Sequence, residues 1–295
     1  AQRSRNSRMS IDAKTPSVLL RLTTDFAAAA RYLFSRRDTP TGSQASVPRS
    51  VWPMVPIGLL IGLIWTGVFR LTWRIFGEIG SLRLLPSFAV VVVFATLTGR
   101  RTLQAAMRLV ESPPEAQQTR NEQARVGEKS LILLVLSLLG MFVLVLSLPE
   151  IQGWWPAADD WRSWFNWMYP RPIYRPLLLA PLWGQWGMLV ALCAGRAAPH
   201  ADPLTRNYVL GLNVWKLVVH SAAPLFLTSI YLSRDGRFFT GPMMVATLLA
   251  ATILFATIVA NLRGGQSRSS VLTTGLFAQT LFLIMYRAFW PLIER

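Results

Sequence analysis

The sequence predicts an all-α protein, a polytopic transmembrane helical bundle with about seven spans. Apolar residues make up 52% of the 295 residues and charged residues only 15%, compared with about 25% in an ordinary soluble domain. The charges are concentrated in a few segments. Between them lie apolar runs of about 18 to 22 residues, the length that a helix needs to cross about 30 Å of hydrocarbon. These runs lack the polar/apolar alternation of a membrane β-strand, so helices are expected to satisfy the backbone hydrogen bonds.

Seven apolar runs are therefore expected to cross the membrane, and the second of them is the shortest. The chain divides into a basic N-terminal segment, residues 1–50, and a transmembrane helical domain, residues 51–295. The predicted spans are residues 51–69, 83–98, 130–148, 177–195, 214–232, 242–261 and 271–290.

The positive charge of the chain indicates contact with lipid headgroups. The net charge is +16, but the Arg and Lys residues lie between apolar runs and not on a soluble surface, which argues against nucleic acid as a partner. With seven spans, 19 Arg and Lys residues fall on the side of residues 1–50 and nine on the other side. Positive charge is enriched on the cytoplasmic side. The sequence thus predicts a multi-pass protein of the cytoplasmic (inner) membrane with a cytoplasmic N-terminus.

The N-terminal segment contains a predicted amphipathic helix over residues 17–34. Its apolar residues recur at near-helical spacing, with Arg21 and Arg31 on other faces, which is typical of a helix that lies on anionic lipid. The apolar residues are Val18, Leu19, Leu22, Phe26, Ala29, Ala30 and Leu33. No short apolar stretch followed by a small-residue cleavage site occurs there, so no removable secretory signal is predicted.

A second distinctive segment is a Trp-rich outer loop, residues 149–176. Trp and Tyr favour the headgroup level of a membrane, so the loop is interpreted as an interfacial anchor. Flat aromatic rings also stack on sugars and quinones. A carbohydrate-binding or quinone-binding site is therefore the alternative to an interfacial anchor. The adjacent acids Asp159 and Asp160 have no His or third acid nearby and are interpreted as solvated.

Common catalytic motifs are missing from the chain. There is no P-loop, dinucleotide-binding turn, His-Glu-x-x-His or nucleophile elbow. The two histidines, His200 and His220, are too isolated in the sequence for a metal site, which normally needs three or four ligands. His220 lies within the fifth apolar run and is either a functional ionisable group or a neutral imidazole bonded to a neighbouring helix. The single cysteine, Cys193, excludes an intramolecular disulfide.

Three predicted cytoplasmic segments combine glycine with arginine. They are residues 99–101, 125–127 and 263–266. Glycine lets a backbone approach a ligand closely, and arginine with backbone N–H groups suits phosphate. Taken singly, each has a simpler explanation, since Gly-Gly often forms a turn and Arg near a span end marks topology. Together they predict a phosphate-handling face.

The order of these segments resembles the cobalamin synthase family, adenosylcobinamide-GDP ribazoletransferase, over most of the chain after the N-terminal extension. Pro56, Gly58, Leu59 and Gly62 match the family's Phe-Pro-x-x-Gly-Leu-x-x-Gly pattern in the first span. The segment with Arg125 and Gly127 is similar to the family's Asp-Ser-Arg-x-Gly. The family's Leu-Gly-Gly-x-Thr-Gly-Asp resembles LRGGQSRS, which contains Gly264, Gly265 and Arg268.

The resemblance implies joining of α-ribazole to GDP-activated cobinamide with release of GMP, a phosphoryl transfer that is expected to need Mg²⁺. The family's acidic residues are replaced here. Its His-x-Asp-Gly-Leu-x-Asp-x-x-Asp run corresponds to residues 99–106, which contain no acid, and its other two aspartates correspond to Gln123 and Ser269. Mg²⁺ prefers oxygen ligands, mostly carboxylates. No metal site is therefore predicted, and Mg²⁺ is expected as a cofactor only if activity survives.

Three hypotheses follow for function. The first is a catalytically degenerate homologue of cobalamin synthase that acts as a non-catalytic or complex subunit, with substrate-type contacts left at Arg125, Gly127, Gly264, Gly265 and Arg268. The second is an active, divergent ribazoletransferase that uses loop glutamates in place of the lost aspartates. The third is a structural or transport subunit of another membrane complex, since a fold does not determine function. The expected partners are the lipid bilayer and other membrane subunits.

Overall fold

A computed structural model describes residues 18–34, 51–76, 82, 84–111, 128–148, 173–233 and 239–294. Ten α-helices account for most of these residues, and a π-helical turn, Ala95–Gly99, joins the third helix to the fourth. The helices are α1 (Val18–Phe34), α2 (Met54–Phe76), α3 (Leu85–Phe94), α4 (Arg100–Glu111), α5 (Glu128–Leu146), α6 (Tyr174–Cys193), α7 (Pro203–Gly211), α8 (Val214–Ser233), α9 (Thr240–Leu262) and α10 (Arg268–Glu294). The Trp-rich loop lies outside the described residues, apart from residues 173–176.

Five of the described helices, namely α2, α6, α8, α9 and α10, are long and apolar enough to cross a membrane. A helix of 23 residues such as α2 or α9 is about 35 Å long at 1.5 Å per residue. Two shorter apolar helical stretches, Leu85–Thr98 and Leu134–Leu146, stand where the second and third spans are predicted. The helical fold with membrane-length helices is confirmed, and the count of seven spans stays a prediction.

Helix α6 forms the centre of the bundle. Within its most apolar 18-residue stretch, 94% of the residues are buried, against 22% for α8. It packs against α2 on one side and α10 on another, and α8 and α9 complete its surroundings. A helix that is apolar on all sides is expected in such an interior position. The other four long helices leave a larger part of their surface uncovered by the protein.

Two glycines of α2 allow it to lie directly against α6. A Cβ atom on Gly62 would lie 2.2 Å from the carbonyl oxygen of Leu178, and one on Gly58 would lie 3.0 Å from the Cα atom of Leu182. The four-residue spacing places both glycines on one face of α2. This is the small-xxx-small arrangement that lets the backbones of membrane helices approach closely.

The contact between α6 and α10 uses glycines from both helices. A Cβ atom on Gly187 of α6 would lie 2.6 Å from the Cβ atom of Ala278, and one on Gly275 of α10 would lie 2.8 Å from the carbonyl oxygen of Gly184. Van der Waals packing and hydrogen bonds, with little hydrophobic contribution, hold helices together in lipid. These close contacts therefore fix the distance between the two helices.

Polar side chains attach α8 to α6. The indole Nε1 of Trp183 donates a hydrogen bond to Thr228 Oγ1 at 2.9 Å, and that of Trp186 donates to Ser221 Oγ at 2.7 Å. Buried indole N–H groups need such acceptors. In the first turn of α6, the buried Arg175 donates from Nη1 to the Tyr231 carbonyl at 2.7 Å. The positive charge thereby lies at the C-terminal end of α8, where the helix dipole favours it.

Candidate functional site

The chemically richest region lies at one end of the bundle, where α4, α6 and α9 finish and where α7 and α10 begin. We refer to this region as the basic end. It contains the C-terminal part of α4, the α6–α7 loop at residues 194–202 and the α9–α10 turn at residues 263–267. The first turns of α7 and α10 complete it.

The predicted Gly264-Gly265 segment ends helix α9. Gly264 has φ +65° and Gly265 has φ +138°, conformations that favour glycine. The Gly265 N–H donates to the Ala260 carbonyl at 2.9 Å and the Gly264 N–H to the Asn261 carbonyl at 3.5 Å. This pattern is a Schellman motif with glycine in the left-handed position just after the helix.

The same turn is paired with the α6–α7 loop. The Gln266 N–H donates to the Arg196 carbonyl at 2.7 Å, and the Ala198 N–H donates to the Gln266 carbonyl at 2.9 Å, in a short parallel bridge. A Cβ atom on Gly265 would lie 2.8 Å from both the Ala198 nitrogen and the Arg196 carbonyl oxygen. Glycine at position 265 thus permits the two loops to lie side by side.

Serine hydroxyls organise the start of α10. The Ser267 N–H donates to Ser270 Oγ at 2.9 Å, and the Ser270 N–H donates back to Ser267 Oγ at 3.3 Å. This is a reciprocal cap of the capping-box type, with Ser270 in the position usually held by Glu or Gln. The hydroxyls of Ser267 and Ser269 lie 2.8 Å apart. Two hydroxyl groups are thus held together beside the α9–α10 turn.

A small cleft, with room for about one water molecule, lies between these elements. It takes residues from α4, from the α6–α7 loop and from the segment that joins α9 to α10, which are three of the four segments predicted to be cytoplasmic. Two arginines and a histidine line it together with two serine hydroxyls, and the described lining includes no carboxylate. The lining residues are Arg108, Leu109, Ala198, His200, Arg263, Gly265, Ser267 and Ser269. Such a surface suits an anion better than a metal cation.

The predicted site residues are only partly brought together here. Gly264 and Gly265 form the turn at the edge of the cleft, and only Gly265 lines it. Arg268 begins α10 but faces helix α1: its guanidinium carbon lies 5.2 Å from the centre of the Tyr32 ring, and its Nη2 donates to the Tyr32 carbonyl. Arg125 and Gly127 lie outside the described residues.

The fourth predicted cytoplasmic segment docks beside the cleft through the last turns of α1. The Tyr32 ring is fully buried and meets the Tyr208 ring edge-on, with 5.3 Å between ring centres. The Tyr32 hydroxyl lies 3.1 Å from Thr205 Oγ1, which itself donates to the N-cap residue Asp202. Tyr32 is therefore the donor in its bond to Thr205.

The Tyr32 contact is expected to weaken at alkaline pH. Burial, followed by the negative charge of Asp202, raises the pKa of Tyr32. An unfolded tyrosine loses its proton near pH 10, so the stabilisation by Tyr32 is complete below about pH 10 and declines as the pH rises above that value. We expect Tyr32→Phe to lower the free energy of unfolding by about 1 kcal/mol at pH 8. This difference should shrink above about pH 10.

Thermal unfolding of the wild-type protein and of Tyr32→Phe, followed at several pH values from 8 to 11, checks this expectation. Tyr208, whose pKa burial also raises, is present in both proteins. A difference in stability that stays constant up to pH 11 would contradict it.

Some residues of the cleft are not predicted from the sequence. Arg108 is absent from the predicted site, although Arg101 and Arg108 are seven residues apart and so share one face of the amphipathic helix α4. His200 is set aside as isolated because its neighbours come from distant parts of the chain. Ser269 is noted only as the replacement of an aspartate, and Ser267 is not singled out.

Comparison with protein-family models, curated proteins and solved structures finds no match for this chain. The resemblance to cobalamin synthase rests on the sequence segments alone.

Proposed function

We propose that the chain is a multi-pass protein of the cytoplasmic (inner) membrane, with seven crossings and with its basic end in the cytoplasm. Segments separated by two crossings, or by any even number, must lie on the same side of a membrane. The joint contribution of α4, the α6–α7 loop and the α9–α10 turn to one cleft supports this topology, and so does the docking of α1 beside them. The excess of Arg and Lys on this side supports its cytoplasmic orientation.

For function we propose a catalytically degenerate homologue of cobalamin synthase that acts as a non-catalytic or complex subunit. The observation that carries this proposal is the basic cleft beside the Gly264-Gly265 turn. It offers arginine, histidine and hydroxyl groups in its described lining, and no carboxylate. Among the described residues, no three His, Cys, Asp or Glu side chains come together. The surviving framework thus favours holding an anionic group over Mg²⁺-dependent transfer.

A turnover assay tests the loss of catalysis. The purified protein, incubated with Mg²⁺, GDP-cobinamide and α-ribazole, is expected to form no product above a protein-free blank, while an active cobalamin synthase serves as the positive control. Product formation at a rate near that of the control would overturn the proposal. It would favour the divergent transferase, in which case Glu122→Ala or Glu128→Ala should abolish the activity.

The role as a complex subunit is supported by helix α8. Much of its surface is uncovered in the monomer, including Trp215, Val219 and Phe226, which are 74%, 59% and 65% exposed. Lipid alone or another membrane subunit can cover such a face. Gentle solubilisation followed by mass spectrometry is expected to recover a partner subunit in a fixed ratio. Recovery of this chain alone would contradict the subunit role.

A further inference from the structure

We infer that helix α8 binds a membrane-spanning helix of another protein that carries an aspartate or glutamate at the depth of His220. The inference deepens the proposed role as a complex subunit and rests on it for the presence of a partner. It concerns one flank of α8, on which Lys216, His220 and Ala223 follow one another at helical spacing.

His220 lies inside the hydrocarbon layer in the proposed topology. The apolar stretch of α8, Val214–Leu232, has 19 residues, which gives a length of about 29 Å and only just covers about 30 Å of hydrocarbon. His220 is about 9 Å along the helix from Val214 at 1.5 Å per residue. Lys216 bonds from Nζ to the Gly211 carbonyl at 2.6 Å, so its charge stays near the surface. The shorter side chain of His220 does not reach that level.

The imidazole of His220 is unpaired within the described part of the chain. It makes no hydrogen bond or ion pair with another described residue, whereas Ser221 and Thr228 of the same helix accept from the tryptophans of α6. His220 is half-buried and lies about 100° around the helix from Ser221. A neutral imidazole has one donor and one acceptor, and leaving both unpaired in hydrocarbon is unfavourable.

Pro224 adds a second polar group at the same depth. Proline has no backbone N–H, so Pro224 cannot form the helical hydrogen bond to the carbonyl four residues earlier, which is that of His220. In membrane helices such a carbonyl is bonded by a Ser or Thr side chain, by water or by a neighbouring helix. The adjacent hydroxyl, that of Ser221, donates to the Leu217 carbonyl instead. Residue 220 thus presents an imidazole and a backbone acceptor together.

The surface beside His220 leaves room for another helix. Ala222 and Ala223 are exposed and stand between the larger exposed side chains of Val219 and Phe226. Small residues let the backbones of membrane helices approach closely. An acyl chain can cover the apolar side chains but has no donor or acceptor for the imidazole. A helix that contacts Ala223 can reach His220, which lies three residues away on the same flank.

A carboxyl group suits this position better than other polar groups. Lys216 is positive on the same flank, which favours an acidic group over a second cation. A carboxyl group and an imidazole can also share one proton with a net charge of zero, whichever of them carries it. The protonated acid can donate to the ring nitrogen or to the His220 carbonyl. Such a pair avoids an uncompensated charge in the hydrocarbon layer.

The carboxyl group has to come from a different protein. None of the five described helices long enough to cross a membrane has Asp or Glu within its apolar span. Two copies that met through α8 would also bring together two Lys216 side chains, which is unfavourable for like charges. A second copy of this chain is therefore not the expected partner.

Synthetic membrane-spanning peptides test the inference. The full-length protein and a leucine-alanine helix with one aspartate about 9 Å from its end are labelled for energy transfer and reconstituted in phosphatidylcholine vesicles. The aspartate peptide is expected to associate about threefold to tenfold more tightly than the same peptide with leucine there, as for an interhelical hydrogen bond in a membrane. His220→Leu should remove this difference. Thr247→Val is the matched control and should keep it, because the Thr247 hydroxyl already bonds to the Met243 carbonyl.

Equal association of the aspartate and leucine peptides with the wild type would overturn the inference. An unchanged preference in a His220→Leu variant that elutes like the wild type in size-exclusion chromatography would do the same. An asparagine peptide that binds as tightly as the aspartate peptide would contradict the choice of a carboxyl group.

Photo-crosslinking identifies the natural partner. With p-benzoylphenylalanine at position 226, the crosslinked peptide is expected to be a membrane span of another protein that contains Asp or Glu, and His220→Leu should reduce its yield. Crosslinks only to lipid or to a second copy would contradict the inference. Failure of the proposed function is seen separately, as turnover in the Mg²⁺ assay or as recovery of this chain alone. A partner subunit bound through another face would leave the subunit role intact and overturn only the inference about α8.

Discussion

Replacement of Gly62 by alanine is expected to prevent normal assembly of the bundle. The new Cβ atom would lie 2.2 Å from the carbonyl oxygen of Leu178, and a backbone atom cannot move aside as the end of a flexible side chain can. Helices α2 and α6 would have to separate, with loss of packing along their whole contact. We expect destabilisation of about 3 kcal/mol or more, at the upper end of the usual range for overpacking.

Gly67→Ala provides a matched control in the same helix. A Cβ atom at Gly67 meets no other atom within 4 Å, and alanine is favoured over glycine within a helix by about 0.5–1 kcal/mol. Expression of both variants as fluorescent fusions, followed by size-exclusion chromatography, measures the monodisperse fraction. The Gly62→Ala fraction should fall sharply while that of Gly67→Ala should equal or exceed the wild-type fraction. Equal profiles for the two variants would show that α2 and α6 do not approach each other as described.

Replacement of Gly265 by alanine is expected to separate the α6–α7 loop from the α9–α10 turn. At φ +138° a side chain is strained, and the new Cβ atom would also lie 2.8 Å from the backbone of residues 196 and 198. Backbone strain of this kind costs about 1–3 kcal/mol, to which the clash adds. The bridge at Gln266 should therefore break.

Limited trypsin digestion measures this separation, because Arg196 lies in the paired loop and its carbonyl accepts the Gln266 N–H. Cleavage after Arg196 should become much faster in Gly265→Ala than in the wild type. Gly264→Asn is the matched control, since its φ of +65° is one that asparagine tolerates and no atom crowds that position. Cleavage at one rate in both variants would argue against a steric role for Gly265.

The helices of this fold could be predicted from the sequence because the signal for a membrane-length helix is local. A run of about 20 apolar residues is sufficient, and helices stand at all seven predicted positions. The central position of α6 could not be predicted in this way, since every run is apolar on several sides. That position depends on features that act only between helices, such as the approach of Gly62 to Leu178 and the bond from Trp186 to Ser221.

The candidate site, too, could be predicted from the sequence only in part. The Gly264-Gly265 pair could be recognised from the sequence. A Gly-Gly pair occurs both in ligand-binding loops and in turns that end a helix, so the sequence does not distinguish the two. The structure supplies the helix-ending hydrogen bonds of Gly265 to Ala260. Arg108 and His200 line one cleft because tertiary packing brings together segments about 90 positions apart, and no local sequence pattern indicates this. Arg268 was expected to contact substrate, whereas in the structure its guanidinium contacts Tyr32.

The central position of α6 has a consequence for biogenesis. This helix carries Arg175, Gln185 and two glycines that contact other helices, and its mean hydropathy of 1.4 is well below the 2.3 of α9. Its α10 partner leaves the ribosome only after α7, α8 and α9 have been made. During that interval the α10-facing surface of α6, with Gly184 and Gly187, has no partner in the bundle. Release of α6 from the insertion machinery into lipid should therefore be delayed until α10 arrives to cover it.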